Sequence, residues 1–505
     1  MGTGNSSGGS SYGQILKSSS IVGGAKAVNY IIGLVRMKFV AVLLGPSGVG
    51  LVGLYVSVIG LVQTFAQLGI NESAVREVAM AAGSGDDKKI AQTVAVLRRA
   101  CWFTGLFGWA LAITLAWPLS QWTFGSTDHA WALAVLGSVV LLELVAGGQK
   151  ALLQGVRRIG DLARLQVATA LLTTVVAVGV YWWMRERGIV TVIVLTSAIQ
   201  LLCSWWIVRR IKLPPVAIGW WETWRHASSL LKLGSAFMYG AILTSVVGLA
   251  IRAVVVRDLG LDAAGIYQAA WALSGMFGGF VLQAMATDFY PRLSASAHDN
   301  SVITRLVNEQ IETGLLLALP GVIGAISLSP LLMDIFYSSK FASGNALMPW
   351  FVMGVLGQVV SWPMGMILQA KGATGWLYIS KTQGSVLHLA LTMPLLGSAG
   401  LPGVAWAFAA YAWIQMLVVF VITRKLVQLK ISGAACRLLS LSLALSLISL
   451  VILNVAPPPW GIVGTLFLAV LTTFVCVRSL ASRVGCDGRL GRLLHRIALL
   501  PQSGC

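Results

Sequence analysis

Charge is what this chain has least of. Only 10% of its 505 residues are Asp, Glu, Lys or Arg, against about 25% in soluble domains. Hydrophobic residues make up 57%, and the mean hydropathy is +0.82. A water-soluble fold is excluded, because no single core absorbs so much apolar surface. Acids are scarcer still, 17 against 36 bases. The six cysteines are scattered with no C-x-x-C pair, so neither a disulfide framework nor a thiolate metal cluster is expected. No G-x-x-x-x-G-K-[ST] loop is present, which removes an ATPase site of that kind. No His/Cys group has metal spacing. The outer polar stretches, such as Gln121 to Ala130 and Tyr337 to Asn345, are too short for a soluble catalytic domain. The expectation is a protein without cofactor or metal, and not an enzyme.

What the chain does have is apolar runs of about 17–25 residues, each long enough to cross roughly 30 Å of hydrocarbon. They predict an all-α polytopic membrane protein with fourteen spans: 19–44, 47–70, 96–118, 131–150, 165–184, 189–208, 231–256, 263–286, 313–336, 346–369, 378–398, 402–423, 436–455 and 460–478. Most of the Lys and Arg then fall on one side, including Lys88, Lys89, Arg98, Arg99, Lys150, Arg209, Arg210, Arg424 and Lys425. The excess marks that side as cytoplasmic, with both termini there. The net charge of +19 thus reads as an orientation signal facing anionic membrane lipid, not as a nucleic-acid footprint.

Part of the chain is written twice. A shift of 215 positions lays Lys17 on Lys232, Ser20 on Ser235, and Gly33-Leu34 on Gly248-Leu249. The same shift lays Val40 on Val255, Leu44-Gly45 on Leu259-Gly260, Gly50 on Gly265, Gly60 on Gly275 and Phe65 on Phe280. Further along, Leu153-Gln154 meets Leu368-Gln369, and Gly160 meets Gly375. The copies define an N-lobe over 19–210 and a C-lobe over 231–430, in parallel orientation. A disordered tail over 1–18 precedes them, and a Trp-rich amphipathic linker at 211–230 joins them. Residues 431–505 add two spans outside the repeat and a basic cytoplasmic tail. Two repeated bundles with a substrate site between them are the ground plan of a secondary transporter.

Ionisable residues inside spans are costly, about 2.5–3.5 kcal/mol each on insertion scales, and point to function by default. The first span carries Lys26, Arg36 and Lys38, the seventh Arg252, and the fourth Glu143. Lys26, Asn29 and Gly33 share one helical face, and Gln63 and Gln67 repeat at i, i+4 on the second span. Together they predict a wet, cationic cavity between the first helices of the two bundles. Blander readings stay open. Lys38 and Arg36 can snorkel to outer headgroups, Lys26 can reach the inner interface, and Arg252 can pair with Asp258. Glu143 is read equally as a coupling group or as a neutraliser of a neighbouring base. Glu72 and Arg76 after the second span, and Asp288 and Arg292 after the eighth, place acid and base at matched depth. They suit a gate that pairs when closed, or they are ordinary interfacial ion pairs.

The stretches Leu16-Lys17-Ser18-Ser19, Val40 to Gly50, Ala66 to Glu77 and Leu153 to Gly160, with its echo Leu368 to Gly372, resemble Wzx-type O-antigen flippases. These belong to the multidrug/oligosaccharidyl-lipid/polysaccharide exporter superfamily, and the likeness covers roughly residues 14–430. The resemblance implies two six-helix lobes in a bacterial inner membrane. It also implies alternating access coupled to a counter-ion, and transfer of an undecaprenyl-diphosphate-linked oligosaccharide to the periplasmic leaflet. A diphosphate needs charge-assisted donors, and Lys26 and Arg252, with Arg36 assisting, are expected to supply them. Expected partners are the lipid-linked oligosaccharide, membrane lipids, and a complex with a polysaccharide polymerase and chain-length regulator. The pair of spans beyond residue 431 departs from twelve-span relatives and resembles lipid II flippases of the superfamily. A cell-wall precursor flippase is therefore one alternative. A cation-coupled multidrug exporter and a membrane glycan polymerase or ligase are others.

Overall fold

Helix is the only regular structure among the described residues. The structure is a computed structural model; it describes residues 8–484 except 68, 212, 217–218 and 458–459. In 8–23, 71–73, 220–237, 280, 284, 286–288 and 484 it describes the backbone alone. The first half holds α1 (Gly8–Gln67), α2 (Ile70–Gly83), α3 (Asp87–Phe124), α4 (Ala130–Gly155), α5 (Ile159–Met184) and α6 (Ile189–Val208). Then come α7 (Trp220–Ala295), α8 (Asn300–Ser327), α9 (Ser329–Phe336) and α10 (Met348–Ala370). The chain continues through α11 (Thr374–Ala399), α12 (Leu401–Val427), α13 (Gly433–Val455) and α14 (Trp460–Val484).

Ten stretches among the described residues are long and apolar enough to cross a membrane. Three of them are double. Gly24–Gln67 is interrupted at Gly45 (φ 69°), Met238–Gln283 at Gly260 (φ 88°), and Ile159–Val208 contains α5 and α6. That makes thirteen crossings. The 26 residues of α11 have the length of a fourteenth, about 39 Å at 1.5 Å per residue. The protein is a multi-pass membrane protein. One expected span needs correction. Residues 313–336 are not one helix: α8 starts earlier and stops at Ser327, and α9 is separate. Pro330 sits in the first turn of α9, where its missing N–H costs nothing and its fixed φ suits a helix start. Two other differences lie at the edges. The α1 backbone begins at Gly8, inside the stretch expected to be disordered, and α7 begins at Trp220, inside the expected linker.

The repeat is visible in the backbone. Left-handed residues recur at the same 215-residue shift: Gly45 and Gly260, Arg157 and Gly372, Arg185 and Gly400. Around the second pair the turn hydrogen bonds match one for one. Arg157 N donates to the Gln154 carbonyl as Gly372 N does to Gln369. Arg158 N donates to Leu153 as Ala373 N does to Leu368, and Ile159 N to Arg157 as Thr374 N does to Gly372. At the first pair the copies meet. A Cβ on Gly50 would lie 2.5 Å from the Leu261 carbonyl oxygen, and one on Gly265 would lie 1.8 Å from that of Pro46. The 215 shift turns each half of that contact into the other.

The chain divides into two compact units, Met1–Gly265 and Ile266–Cys505. The unit boundary therefore falls later than the repeat boundary, and the part of α7 before Gly260 packs in the first unit. There Leu249 joins Leu44, Tyr55, Val62, Leu136 and Val140 in one buried cluster. Small residues let α3 and α4 approach closely. Gly108 faces Val140, Gly137 faces Ala112 and Trp109, and Gly148 faces Cys101. Lipid supplies no hydrophobic drive between helices, so such close packing carries the association. In the second unit α13 and α14 pack on α8. Leu316, Leu319 and Ile323 meet Ala469 and Cys476, and Arg483 pairs with Glu312 at 2.7 Å. Ser432 Oγ donates to the same carboxylate at 2.7 Å, and Asn308 bonds the Lys430 carbonyl and the Ser432 N–H.

Candidate functional site

A polar cavity of about 280 Å³ opens inside the first unit, among α1, α4, α5 and α6. Asn29, Gly33 and Arg36 reach it from α1 because the 3.6-residue period puts positions 29, 33 and 36 on one face. Lys150 comes from the last turns of α4, Gln166 and Thr169 from α5, and Gln200 from α6. Asn29 Oδ1 and Thr169 Oγ1 are buried with no hydrogen-bond partner. A buried polar atom left open costs about 1–3 kcal/mol. Two residues with such atoms therefore line the cavity beside two cations.

A second layer lies behind. Glu143, seven residues before Lys150 on α4, shares its face. Its carboxylate accepts hydrogen bonds from Ser197 Oγ at 3.1 Å and from the Gln63 side chain, and feels the Lys150 charge. Ser204 donates to Gln149 Oε1 at 2.5 Å. Glu143 is thus a carboxylate held by an amide and a hydroxyl, two helical turns from the Lys150 ammonium.

Of the expected cavity residues, the structure brings Asn29 and Arg36 together and adds Gln63 through Glu143. Lys26 is exposed one turn before Asn29 on the same face, and Lys38 and Gln67 are half-buried elsewhere on α1. Arg252 is half-buried on α7 and donates to the Gly248 carbonyl of its own helix at 2.9 Å. It does not line this cavity. On the same stretch Ser245 Oγ lies 3.3 Å from Thr64 Oγ1 on α1. Arg76 and Arg292 are exposed; the side chains of Glu72 and Asp288 lie outside the described residues. The first gate segment has its own element, since Gly69 (φ 73°) ends α1 and α2 follows with Ile70, Ala74 and Val78 buried. Sequence reasoning missed Lys150, which had been counted as an orientation charge. Its seven-residue spacing from Glu143 was the available signal.

The chain matches the family described as "Polysaccharide biosynthesis protein" over residues 15–297. It is 22% identical over 387 residues to the lipid III flippase of Escherichia coli (strain K12), which covers 75% of this chain and 90% of that one. The structure resembles lipid II flippase MurJ in an inward closed conformation, with a TM-score of 0.69, 14% identity, and coverage of 92% of this chain and 99% of that one. It also resembles an inward-facing multidrug resistance MATE family transporter of the MOP superfamily, with a TM-score of 0.64, 14% identity, and coverage of 79% and 94%. These structural likenesses establish the transporter fold.

Proposed function

From the premise that this chain belongs to the polysaccharide biosynthesis protein family, we propose that it is a flippase for a diphosphate-lipid-linked oligosaccharide. The substrate is an O-antigen or similar surface-polysaccharide repeat unit on undecaprenyl diphosphate. It moves by alternating access from the cytoplasmic to the periplasmic leaflet of the inner membrane, with lobes at 19–210 and 231–430. The observation that carries this reading is the cavity where Arg36 and Lys150 meet two unpartnered buried polar atoms. A diphosphate brings about two negative charges, which need charge-assisted donors once out of water. The resemblance to the lipid III flippase supports a lipid-linked glycan as cargo. Lys26 and Arg252 complete the diphosphate contacts, with Asn29, Lys38, Gln63 and Gln67 offering polar groups to the glycan.

Outward transfer of two negative charges across an interior-negative potential is downhill by about 2.3 kcal/mol per charge per 100 mV. The voltage therefore favours export without nucleotide. Inward movement of a cation on Glu143 or Glu72 adds to it, and Arg76, Asp288 and Arg292 pair in the closed gate. A polymerase and a chain-length regulator take the product. Lipid II is the second reading, favoured by the near-complete coverage of the MurJ fold.

In proteoliposomes holding an undecaprenyl-diphosphate oligosaccharide, collapse of the membrane potential slows flipping, and Glu143→Gln removes part of its ion dependence. Full activity in an Arg36→Ala, Lys150→Ala double variant overturns the cationic site. Equal transport of lipid II replaces the first reading with the second. Labelling from outside reaches cysteines placed at Ser126 and Ser343 and not at Ser84 if both termini are cytoplasmic.

A further inference from the structure

Two further cavities share one wall through the repeat. One, of about 550 Å³, lies among α3, α4 and α6 of the first unit. The other, of about 570 Å³, lies among α8, α10, α12 and the start of α13 in the second. The 215 shift converts Leu201, Leu202, Trp205 and Arg209 of the first into Met416, Leu417, Phe420 and Arg424 of the second. It likewise converts Val145 into Val360 and Gln149 into Met364. Each cavity is an apolar trough with a guanidinium at one end. From Arg209 to Leu201, as from Arg424 to Met416, is eight residues, or about 12 Å of helix. Their walls include exposed apolar side chains, Trp102, Leu202 and Trp205 in one and Leu417 in the other. In a membrane protein such faces meet lipid.

The cationic end is held in place. The Arg209 guanidinium lies 5.4 Å from the Trp205 ring, and its neighbour Arg210 sits 3.9 Å over Trp206. Arg98 lines the same end. In the second copy Lys430 joins Arg424, just past Gln428, whose left-handed backbone (φ 56°) ends α12. These cations belong to the segments that the charge bias marks as cytoplasmic.

We propose that each trough holds one anionic phospholipid of the inner leaflet. Its headgroup phosphate pairs with Arg209 or Arg424, and the upper part of an acyl chain fills the 12 Å below. Charge complementarity favours an anionic headgroup, and apolar walls require a chain, which a free phosphate lacks. Neither trough shares a lining residue with the polar cavity of α1, α4, α5 and α6, so their occupancy does not depend on which glycan is carried.

The test uses the full-length protein in detergent, with native mass spectrometry after addition of phosphatidylglycerol or phosphatidylcholine. The wild type is expected to retain two more phosphatidylglycerol molecules than an Arg209→Gln, Arg424→Gln double variant. Each single variant loses one, and phosphatidylcholine is not retained. Cys436 lines the second trough and is an exposed free thiol, which gives a second readout. With Cys203, Cys486 and Cys505 replaced by Ser, phosphatidylglycerol should slow maleimide labelling of Cys436 at least fivefold, and inorganic phosphate should not. Leu417→Trp fills the trough while sparing Arg424, and should remove that protection. Equal retention of phosphatidylcholine, unchanged retention in the double variant, or protection by phosphate alone overturns the proposal. So does protection that survives Leu417→Trp.

Discussion

The two copies of the repeat share a backbone and differ in what they put inside it. Arg36 of the first corresponds to Ile251 of the second, Glu143 to Gln358, Lys150 to Gly365 and Ser197 to Ala412. Where the first copy lines a cavity with charge, the second removes it. The reverse happens one helix on: Gln166 and Thr173 correspond to Lys381 and His388. There the His388 ring stacks on Tyr411 at 4.5 Å, and Gln415, counterpart of Gln200, bonds Ser380. Joints are kept because every helix must turn at the same place. Interiors are free to diverge because α-helical backbone in a membrane satisfies its own hydrogen bonds whatever the side chains are. The polar chemistry is thus a property of one copy, not of the fold.

The largest expected effect breaks the contact where the copies touch. Gly265→Ala puts a Cβ into the Pro46 carbonyl, and backbone cannot step aside as a side chain does. Overpacking costs about 1–3 kcal/mol even in adaptable cores. The melting temperature in detergent should fall by several degrees or the protein should fail to accumulate. Gly275→Ala, which meets nothing within 4 Å, should melt like the wild type.

Next in size is an exchange of interiors. Arg36→Ile gives the first copy the residue of the second and should cut flipping at least tenfold while the protein remains inserted. Ile251→Arg, the opposite exchange, should not restore it, since the partners Lys150 and Gln166 have no counterparts of the same chemistry beside it.

Smaller again is the exchange at the joints. Arg157 holds a left-handed backbone (φ 55°) where the second copy has Gly372. A non-glycine residue there costs about 1–2 kcal/mol. Arg157→Gly should raise the melting temperature, and Gly372→Arg should lower it. Arg185→Gly should gain less, because Arg185 also donates to the Leu43 carbonyl at 3.2 Å.

These joints also show what was legible beforehand. Gly45 and Gly260 match at the 215 shift and lie between expected spans, and the structure turns at both. Helix positions followed from hydropathy because water-free surroundings leave few alternatives. The separation of α8 from α9 was missed although Ser329-Pro330 signals it, since apolarity alone runs on through the break. The candidate site was half legible. Asn29 and Arg36 are marked because a polar residue inside a span stands out, and both line the polar cavity. Lys150 is not so marked, because near the end of a span a base reads first as a topology mark. Which face of α4 turns inward depends on packing against α5 and α6, and that packing lies in no single segment.

The smallest effect is a pH dependence. His129, just before α4, bonds the Tyr55 hydroxyl through Nδ1 at 2.7 Å and stacks on Phe124 at 4.0 Å. Burial pushes its pKa below the usual 6.5, partly offset by the Asp128 charge. The folded state therefore binds this proton less readily than the unfolded state. Its contribution to stability is complete above about pH 6.5 and declines as the pH falls through the folded value. Thermal unfolding between pH 5 and 8 should show a shallow loss on the acid side, absent in His129→Phe. The second copy has Gly344 at this position and nothing to titrate there.

The bond from Arg483 to Glu312 sets a clock on biosynthesis. Glu312 and Asn308 leave the ribosome well before their partners, and Arg483 follows Glu312 by 171 residues. At about 5–20 residues per second the acid waits on the order of ten to thirty seconds in or beside the bilayer for its counter-charge. During that interval α8 carries a carboxylate and an amide without the partners they have in the folded chain. A chain that stops after α12 lacks both Ser432 and Arg483, so the polar partners of Glu312 arrive only with the last two helices.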